Sequence, residues 1–522
     1  MDYSTALLAS SVCIVLGLCK LATRKSSTVA DIPGPESHSW VYGNMLQLVF
    51  PSIYGEFEFK WLKTFGPAYK FKGVFGEDRL MLSDPAAVQH VLNNHSFIRS
   101  PPQWQAGKLV FGAGSVYCAE ADGHKRLRAA LAPGFSTSVV RKFTPIFAEI
   151  AQRIVLEWEK ACSSEQPTRL NICEVIDRAT LDIISEAALG LPLNTVAHPE
   201  HALAQSHLNV IAAAFNRSKS DLLAEVVTPH IPSVVLHSLL RLPTAAFSAL
   251  RNFRRVTDQL SSTLMKEKVS DDESDMLGIF VKGLSSARNK NTTPEEVAEQ
   301  MRVILLGGQD TSADALAWAL HELSKDQAYQ TKLRTEITGA SRPIDYDSLP
   351  LLNALLKEVL RLYPAAPFLE RIASTDGSIP LSQPITTTRG ERIDRIPVRK
   401  GQYVALGVAS YQRYEPIWGA DAHEFKPERW LGDQVPCNGQ ALGPYAHLLT
   451  FSGGFRSCIG WRFSLLEMQV ILCEVISNFV FSPSPKLEED AVKPLYAGVL
   501  VPITKEGVKG LRLGVQRVTS ES

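Results

Sequence analysis

Phe451-Ser452-Gly453-Gly454-Phe455-Arg456-Ser457-Cys458-Ile459-Gly460 is the stretch on which the reading of this chain turns. It sets one cysteine between glycines and an arginine, just ahead of a helical run from Trp461 to Val470. Thiolate is the metal-binding form of cysteine, and it is stabilised by nearby positive charge, by a metal, or by the donor end of a helix. The segment offers Arg456 two residues before Cys458, a helix beginning just after it, and glycines that let backbone N–H groups turn toward the sulfur. The alternative is a buried free cysteine after a glycine-rich turn, which is the usual fate of a single intracellular cysteine.

Composition narrows the class. The 522 residues carry a formal net charge of zero and are 45% hydrophobic, an ordinary globular balance. No basic excess points to nucleic acid, which is therefore not an expected partner. The eight cysteines are Cys13, Cys19, Cys118, Cys162, Cys173, Cys437, Cys458 and Cys473, and no CxxC pair occurs. Neither a zinc ribbon nor a dithiol redox site is indicated. Scattered cysteines fit a reducing compartment better than a disulfide framework.

The amino terminus differs from the rest. Tyr3 to Ala22 is rich in Leu, Ala, Val and Ile, and Lys20 is its one charged residue. A bilayer core takes ~20 such residues in a helix. Lys20, Arg24 and Lys25 follow on the carboxyl side while only Asp2 precedes. The positive-inside rule then leaves the bulk of the chain cytosolic. A cleaved signal peptide would carry its positive charge before the apolar run, so a retained signal anchor over residues 1–25 is favoured. Ile32-Pro33-Gly34-Pro35 stiffens the exit from it, because proline fixes φ and removes donors. Residues 26–45 read as a proline-rich hinge, though Pro-Gly-Pro is also simply a loop, and residues 46–522 as the catalytic domain.

Along that domain, Tyr69 to Val74 and Arg79 to Leu82 read as short strands, and Asp84-Pro85-Ala86-Ala87 opens a helix. The apolar period is helical over Glu149 to Lys160, Ala179 to Ala188, Leu277 to Val281, Pro294 to Leu323 and Leu351 to Leu362. Thr386 to Leu406 is strand-like and interrupted by turns. Helices dominate, with small sheets near the start and after Leu362.

Gly307 and Gly308 fall inside one of these helical runs, where each glycine costs ~1 kcal/mol relative to alanine. Their presence predicts a notch on one helix face, and Asp310, Thr311 and Ser312 come directly after it. An acid and a hydroxyl beside such a notch make a proton-delivery pair. The competing reading is a helix kink whose hydroxyl bonds back to the preceding turn. Glu358 and Arg361 lie one turn apart, a spacing that alone gives only a weak ion pair of ~0.2–0.5 kcal/mol. His124 and Arg128, at (i, i+4), share a helix face.

Taken together and in order, these motifs resemble the cytochrome P-450 family of haem-thiolate monooxygenases, microsomal type, and most of all its fungal secondary-metabolism members. Phe-x-x-Gly-x-Arg-x-Cys-x-Gly is similar to the family's haem-ligand signature, Gly307 to Thr311 to its oxygen-activation motif, and Glu358-Val359-Leu360-Arg361 to its Glu-x-x-Arg helix. Phe425-Lys426-Pro427-Glu428-Arg429-Trp430 is similar to its meander, and His124-x-x-x-Arg128 to a position that is more often Trp-x-x-x-Arg. The resemblance runs from the anchor to the cysteine loop.

It implies a mainly α fold with small β-sheets, a triangular helical haem domain behind an N-terminal single-pass anchor. It implies haem b with Cys458 as axial ligand, a thiolate that favours O–O cleavage. His124, Arg128, Arg371, Phe451 and Arg456 would bind the haem, the basic residues among them serving its propionates. Thr311 would hydrogen-bond dioxygen at the haem and Asp310 would relay protons to it. Glu358, Arg361 and Arg429 would form a structural network. Val303, Gly307, Ala366, Phe368 and Val499 would line the substrate pocket, within a roof made of the loop Pro101 to Tyr117 and the segment Leu208 to Leu242. Ile231, Val234, Val235, Leu236, Leu239 and Leu240 would dip into the membrane interface. Electrons would come from NADPH through a cytochrome P-450 reductase, with cytochrome b5 as a second donor, and Lys125, Arg126 and Arg462 as basic docking contacts. The implied setting is the endoplasmic reticulum membrane with the catalytic domain cytosolic. The implied substrate is an apolar small molecule, a terpenoid or another secondary metabolite, with sterols, fatty acids and aromatics as alternatives. A reductase-independent haem-thiolate isomerase or dehydratase, and a non-catalytic haem-binding sensor, are the competing classes. The Asp310–Thr311 pair argues against both.

Overall fold

Most of the apolar periodicity in the chain is spent on helices. The computed structural model describes residues 27–162, 166–215, 218–231, 238, 241–242, 244–267, 276–288, 293–432, 441–496 and 498–518. The expected anchor, together with Val234, Val235, Leu236, Leu239, Leu240 and Cys437, lies outside the described residues. Among the described residues no helix is long and apolar enough to cross a membrane.

The helices of nine residues or more begin with α1 (Glu56–Phe65), α2 (Pro85–Asn93), α3 (Pro101–Val110), α4 (Ala121–Leu131) and α5 (Thr144–Ala161). They continue with α6 (Ile172–Leu189), α7 (Ala202–Phe215), α8 (Lys219–Val227), α9 (Ala245–Glu267) and α10 (Met276–Arg288). The last are α11 (Pro294–Gly308), α12 (Asp310–Lys325), α13 (Gln327–Thr338), α14 (Pro350–Leu362) and α15 (Trp461–Asn478). The strands are β1 (Ala68–Lys72), β2 (Asp78–Leu82), β3 (Phe97–Arg99), β4 (Thr168–Asn171), β5 (Phe368–Ala373) and β6 (Gly377–Thr386). After them come β7 (Arg392–Val398), β8 (Tyr403–Gly407), β9 (Phe479–Pro483), β10 (Lys493–Tyr496), β11 (Leu500–Ile503) and β12 (Arg512–Arg517). The outcome is the mainly helical fold with small sheets that the sequence implies.

Local chemistry explains several boundaries. Asp84 caps α2 by accepting from the Ala87 N–H at 2.9 Å, and Pro85 occupies the first helical turn where no donor is needed. Thr293 and Glu296 form a reciprocal capping box at the start of α11. The expected roof loop is a correction: Pro101 to Val110 is helical, because Pro101 and Pro102 sit at its start, where missing N–H groups cost nothing. A second correction concerns the helix expected over Pro294 to Leu323. It is two helices, α11 and α12, broken at Gln309.

The largest sheet has the order β1-β2-β8-β5-β3, parallel only between β2 and β8. Its β3–β5 register sets Arg99 directly opposite Arg371. The core lies between α5, α6, α12, α14 and α15, where Phe147 meets Phe463 edge-on at 4.9 Å and Trp158 meets Phe479 at 5.7 Å. Val29 and Ile32, from the expected hinge, are buried in the same core. Lys70 N–H donates to the Pro33 carbonyl at 2.9 Å, so this segment is docked along β1.

Candidate active site

The cysteine loop is shaped by backbone that only glycine tolerates. Gly454 has φ +64°, and a Cβ there would run into the Leu92 carbonyl; one at Gly453 would meet the Leu442 carbonyl. His95 stacks on Phe455 at 4.1 Å and holds the tip of the loop. The Cys458 N–H donates to the carbonyl of Phe451 at 2.8 Å, and the Phe451 side chain is buried.

Cys458 lies deep in the protein yet is exposed, so its thiol opens onto an internal space rather than bulk solvent. Burial pushes the thiol pKa up, and the Gly460 N–H and the Arg128 guanidinium pull against that, with burial prevailing. The cation acting on the sulfur is thus Arg128 rather than Arg456. Arg128 reaches in from α4 to donate to the Ser457 carbonyl at 2.7 Å and to Ser457 Oγ at 3.1 Å. Arg456 turns the other way, donating to the carbonyls of Ala119 at 2.6 Å and Tyr117 at 3.4 Å. Charge beyond what the chain supplies, such as a metal, is needed to hold a thiolate here.

A second feature is a crowd of cations. Burial, Arg99 and Arg456 depress the Arg371 pKa to about 9. Burial and Arg99 hold Arg456 at about 10. Burial, then Arg456, Arg128, Arg99 and His95, keep His124 neutral with a pKa of about 4. Arg99 donates to the Tyr117 carbonyl at 3.0 Å and stacks over that ring at 3.7 Å. Among the described residues no carboxylate forms an ion pair with Arg99, Arg371 or Arg456. Like charges directly opposite on a sheet destabilise it, so the cluster calls for an anionic partner. Arg99 was not visible in the sequence, since its place beside Arg371 exists only once β3 pairs with β5.

On the other side stand α11 and α12. A Cβ at Gly307 would meet nothing within 4 Å, whereas one at Gly308 would lie 2.6 Å from Ile184 on α6. The expected notch is therefore made by Gly307 alone, and Gly308 serves close helix packing. At the break, Gln309 accepts from His207 Nε2 at 2.8 Å through its Oε1 and donates to the Asp177 carbonyl at 3.1 Å through its Nε2. Thr311 Oγ1 donates to the Gly307 carbonyl at 3.0 Å, the back-bond of the kink reading, and keeps its lone pairs free to accept. Asp310 pairs with Lys509 Nζ at 3.3 Å rather than with Thr311. The two sides of the site are joined where Ser312 Oγ meets Ser464 Oγ at 2.9 Å.

Glu358, Arg361 and Arg429 come together as one buried network. Arg361 grips Glu358 with Nε at 2.9 Å and Nη2 at 2.7 Å, and Arg429 Nε reaches Glu358 Oε1 at 2.9 Å. Trp430 Nε1 and the Lys426 N–H complete the carboxylate, each at 2.9 Å. Burial alone would raise the Glu358 pKa, but Arg361 and Arg429 outweigh it and hold it low. Gln412, which the sequence did not single out, carries this order to the cysteine loop. It donates to the Arg361 carbonyl at 2.7 Å and accepts from the Leu449 N–H at 2.8 Å, two residues before Phe451.

Val303, Ala366, Phe368 and Val499 are all half-buried. The turn carrying Val499 is docked by a hydrogen bond from the Leu500 N–H to the Ala365 carbonyl at 2.9 Å, and Phe368 contacts Tyr496 at 4.8 Å between ring centres. The roof is clamped to α11: Gln300 accepts from the Val116 N–H at 2.7 Å and donates to the Gly114 carbonyl at 3.1 Å, and Arg302 donates to the Phe111 carbonyl at 3.0 Å.

An accessible thiol, arginines without a carboxylate, and an open glycine face on the opposing helix fit haem, whose iron, propionates and flat ring each find a counterpart. Comparison with known proteins agrees. The Cytochrome P450 family model matches residues 33–509. The chain is 30% identical to cytochrome P450 monooxygenase claQ of Ampulloclitocybe clavipes over 490 residues, covering 90% of each. It is likewise 30% identical to claP of the same fungus, and 31% identical to cytochrome P450 monooxygenase 91 of Postia placenta over 494 residues, covering 88% of this chain and 89% of the relative.

Proposed function

The chain belongs to the cytochrome P450 family and is a monooxygenase, and from that premise we propose that it oxygenates an apolar small molecule, in the first instance a terpenoid or similar secondary metabolite, with Cys458 as the haem ligand. The observation that carries the proposal is the Cys458 thiol, opening onto an internal space with the Gly460 N–H and Arg128 directed at it. Haem bound there supplies dioxygen activation, fed by electrons from NADPH through a partner reductase.

The chain's own residues divide the remaining work. Arg99, Arg371 and Arg456, with neutral His124 as a further donor, would hold the two carboxylates of the group, and that anion relieves their mutual repulsion. Arg128 fixes the loop through Ser457, so Cys458 approaches from one direction. Gly307 leaves room above the ring. Thr311 accepts and passes a proton at Oγ1, with Asp310 beside it as the acid. Val303, Ala366, Phe368 and Val499 present apolar surface that favours a hydrocarbon-rich substrate and excludes water. Residues 1–25 would anchor the chain in the endoplasmic reticulum membrane. The exposed Trp40 and Ile53 on the segment that follows are side chains suited to an interface.

The test begins with the carbon monoxide difference spectrum of the reduced, membrane-bound protein. A strongly red-shifted Soret band in the wild type, lost in Cys458→Ser, is the expected result; the same band in the variant refutes the ligand. NADPH-dependent product formation is then measured with a microsomal reductase against terpenoid, sterol, fatty acid and aromatic panels. Conversion confined to the last three classes overturns the terpenoid assignment.

A further inference from the structure

Lys509 is a buried ammonium facing three carboxylates. Its Nζ lies 2.8 Å from Asp177 Oδ1, 2.9 Å from Asp314 Oδ1 and 3.3 Å from Asp310 Oδ1. The lysine side chain is 10% exposed, Asp177 14%, Asp310 9% and Asp314 3%, so Asp177 is the most solvent-accessible member and Asp314 the most deeply buried. The lysine is delivered by a tight hairpin rather than a helix. Thr504 and Val508 pair across it, Gly507 takes φ +79°, and the Gly510 N–H donates to the Pro502 carbonyl at 3.0 Å. The Leu511 N–H donates to Asn171 Oδ1 at 3.2 Å, and the Leu511 carbonyl accepts from Ile172 N–H at 2.8 Å. These contacts fix the hairpin against the start of α6.

Charge does not balance in this cluster. One ammonium meets three carboxyl groups, and Asp314 is the odd member. Its close contact is with Lys509 at 2.9 Å, and among the described residues no other donor reaches either of its oxygens. A buried carboxylate left so cannot stay ionised cheaply and takes a proton instead. The groups facing the cluster are mostly acidic, with Arg178 the one further cation that lowers the Asp177 pKa. From α6 come Asp177, Cys173 and Arg178; from α12, Asp310 and Asp314; from α7, the buried His207. Burial raises the pKa of Asp177 and Asp314, while Lys509 is held above its usual range by the carboxylates against the opposing effect of burial.

We propose that Lys509 is a positioning residue for Asp310, and that Lys509, Asp177 and Asp314 form a buried proton store that recharges Asp310 during turnover. The store rests on the reading of Asp310 and Thr311 as the proton-delivery pair. One cycle moves one proton and no electrons. The proton that reaches the Asp310 carboxylate comes from the carboxyl of Asp314 or Asp177 and crosses the Lys509 ammonium by exchange, Lys509 taking one proton as it releases another and so keeping its charge. Water at the Asp177 edge restores the store.

The experiment uses the haem-loaded full chain with its reductase. Infrared difference spectra at neutral pH, wild type against Asp314→Asn, should show a carboxylic acid C=O band that is lost in the variant and shifts in heavy water. The reduced carbon monoxide spectrum should be unchanged. Lys509→Met should strengthen that band, since a proton replaces the missing ammonium. It should also move the pH midpoint of peroxide release per NADPH upward by roughly 1–3 units, the usual effect of removing a close opposite charge. Lys509→Arg should restore both. If Lys509→Met does not accumulate with haem, Asp314→Asn still tests the store, because it keeps the shape and removes one acid. Identical carboxyl bands in wild type and Asp314→Asn overturn the store, and a wild-type pH profile in Lys509→Met overturns the positioning role. The underlying pair fails separately: Thr311→Ala with unchanged peroxide release per NADPH sinks it without altering any infrared band.

Discussion

Ser312 on α12 and Ser464 on α15 share a hydrogen bond of 2.9 Å, tying the helix that carries Thr311 to the helix that follows Cys458. The bond joins the two sides of the candidate site, through the residue directly after Thr311 and a residue in the second turn of the helix that follows Cys458. Their relative position is therefore fixed by the chain itself, before haem or substrate is considered.

Glu467 sits beneath this bond, fully buried, with the Ser312 hydroxyl as the polar group facing it and no well-formed hydrogen bond to either oxygen. Burial raises its pKa well above the usual value, and Ser312 offsets this only in part. The folded protein therefore keeps a proton that the unfolded chain releases above its ordinary carboxyl pKa. Stability from this group is present at low pH and is lost as pH rises through the folded-state value, at about 1.4 kcal/mol per pH unit within the window. Glu467→Gln, which carries no ionisable proton, should flatten the alkaline side of the stability curve. Denaturant midpoints from mildly acidic to mildly alkaline pH measure this, and parallel curves for the two proteins would count against a neutral Glu467.

Arg371 offers the opposite trade. Directly across from Arg99 and crowded by Arg456, it is costly without an anion and useful with one. Arg371→Met should leave the haem-free protein as stable as the wild type or up to about 1 kcal/mol more stable, the range for relief of a cross-strand like-charge pair. Haem retention should fall in the same variant. Thermal melts of the haem-free proteins and haem transfer to an acceptor globin read the two effects independently. Lower stability without haem together with unchanged transfer would mean that Arg371 serves the sheet and not the cofactor.

What the sequence revealed and what it hid divide along the chain distance between partners. Cys458, Glu358 and Arg361, and the Asp310–Thr311 pair could be singled out in the sequence because the chemistry expected of them is written within a few residues. Arg99 and Lys509 were not, because each gains its meaning from a partner on another element, reached only through the β3–β5 register or the hairpin before β12. Nearness in sequence also misled. Arg456, two residues from Cys458, turns its guanidinium to Tyr117 and Ala119, and the cation beside the sulfur arrives from α4 as Arg128. The break at Gln309 was hidden for the same reason, since the His207 and Asp177 contacts there come from α7 and α6.

Glu358 is the point where removal of one side chain should cost most. Its two oxygens take hydrogen bonds from Arg361, Arg429, Trp430 and the Lys426 N–H, those from Arg361 and Trp430 fully buried and the other two partly so. Glu358→Ala strips the fully buried Arg361 of its carboxylate and leaves Arg429 with Asp421 alone, a loss of about 3–5 kcal/mol. Because Gln412 links the Arg361 carbonyl to the Leu449 N–H, the damage should extend to the cysteine loop. The expected result is poor accumulation and little haem in what remains. A stable, fully haem-loaded Glu358→Ala protein would rule out the structural role.

Gly307 and Gly308, adjacent on α11, should respond to the same substitution in opposite ways. At both positions alanine relieves the ~1 kcal/mol that glycine costs in a helix. At Gly307 the new methyl meets nothing within 4 Å, so Gly307→Ala should gain about that amount in thermal stability. On the proposed haem assignment the methyl narrows the open space beside Gly307, and bulky substrates should bind more weakly while small ones are less affected. At Gly308 the methyl would lie 2.6 Å from Ile184 Cγ1, and α6 must move or Ile184 must change rotamer. Overpacking of this kind costs typically 1–3 kcal/mol, which cancels or exceeds the helix gain. Gly308→Ala should therefore be neutral to destabilising. It should also disturb the Gln309 contacts with His207 and Asp177, which depend on the spacing between α11 and α6. Melting temperatures of the two variants, with haem content held equal, decide the matter. A gain at Gly308 matching that at Gly307 would show that the α6–α11 contact is loose enough to absorb a methyl, and that the glycine is there for some reason other than packing.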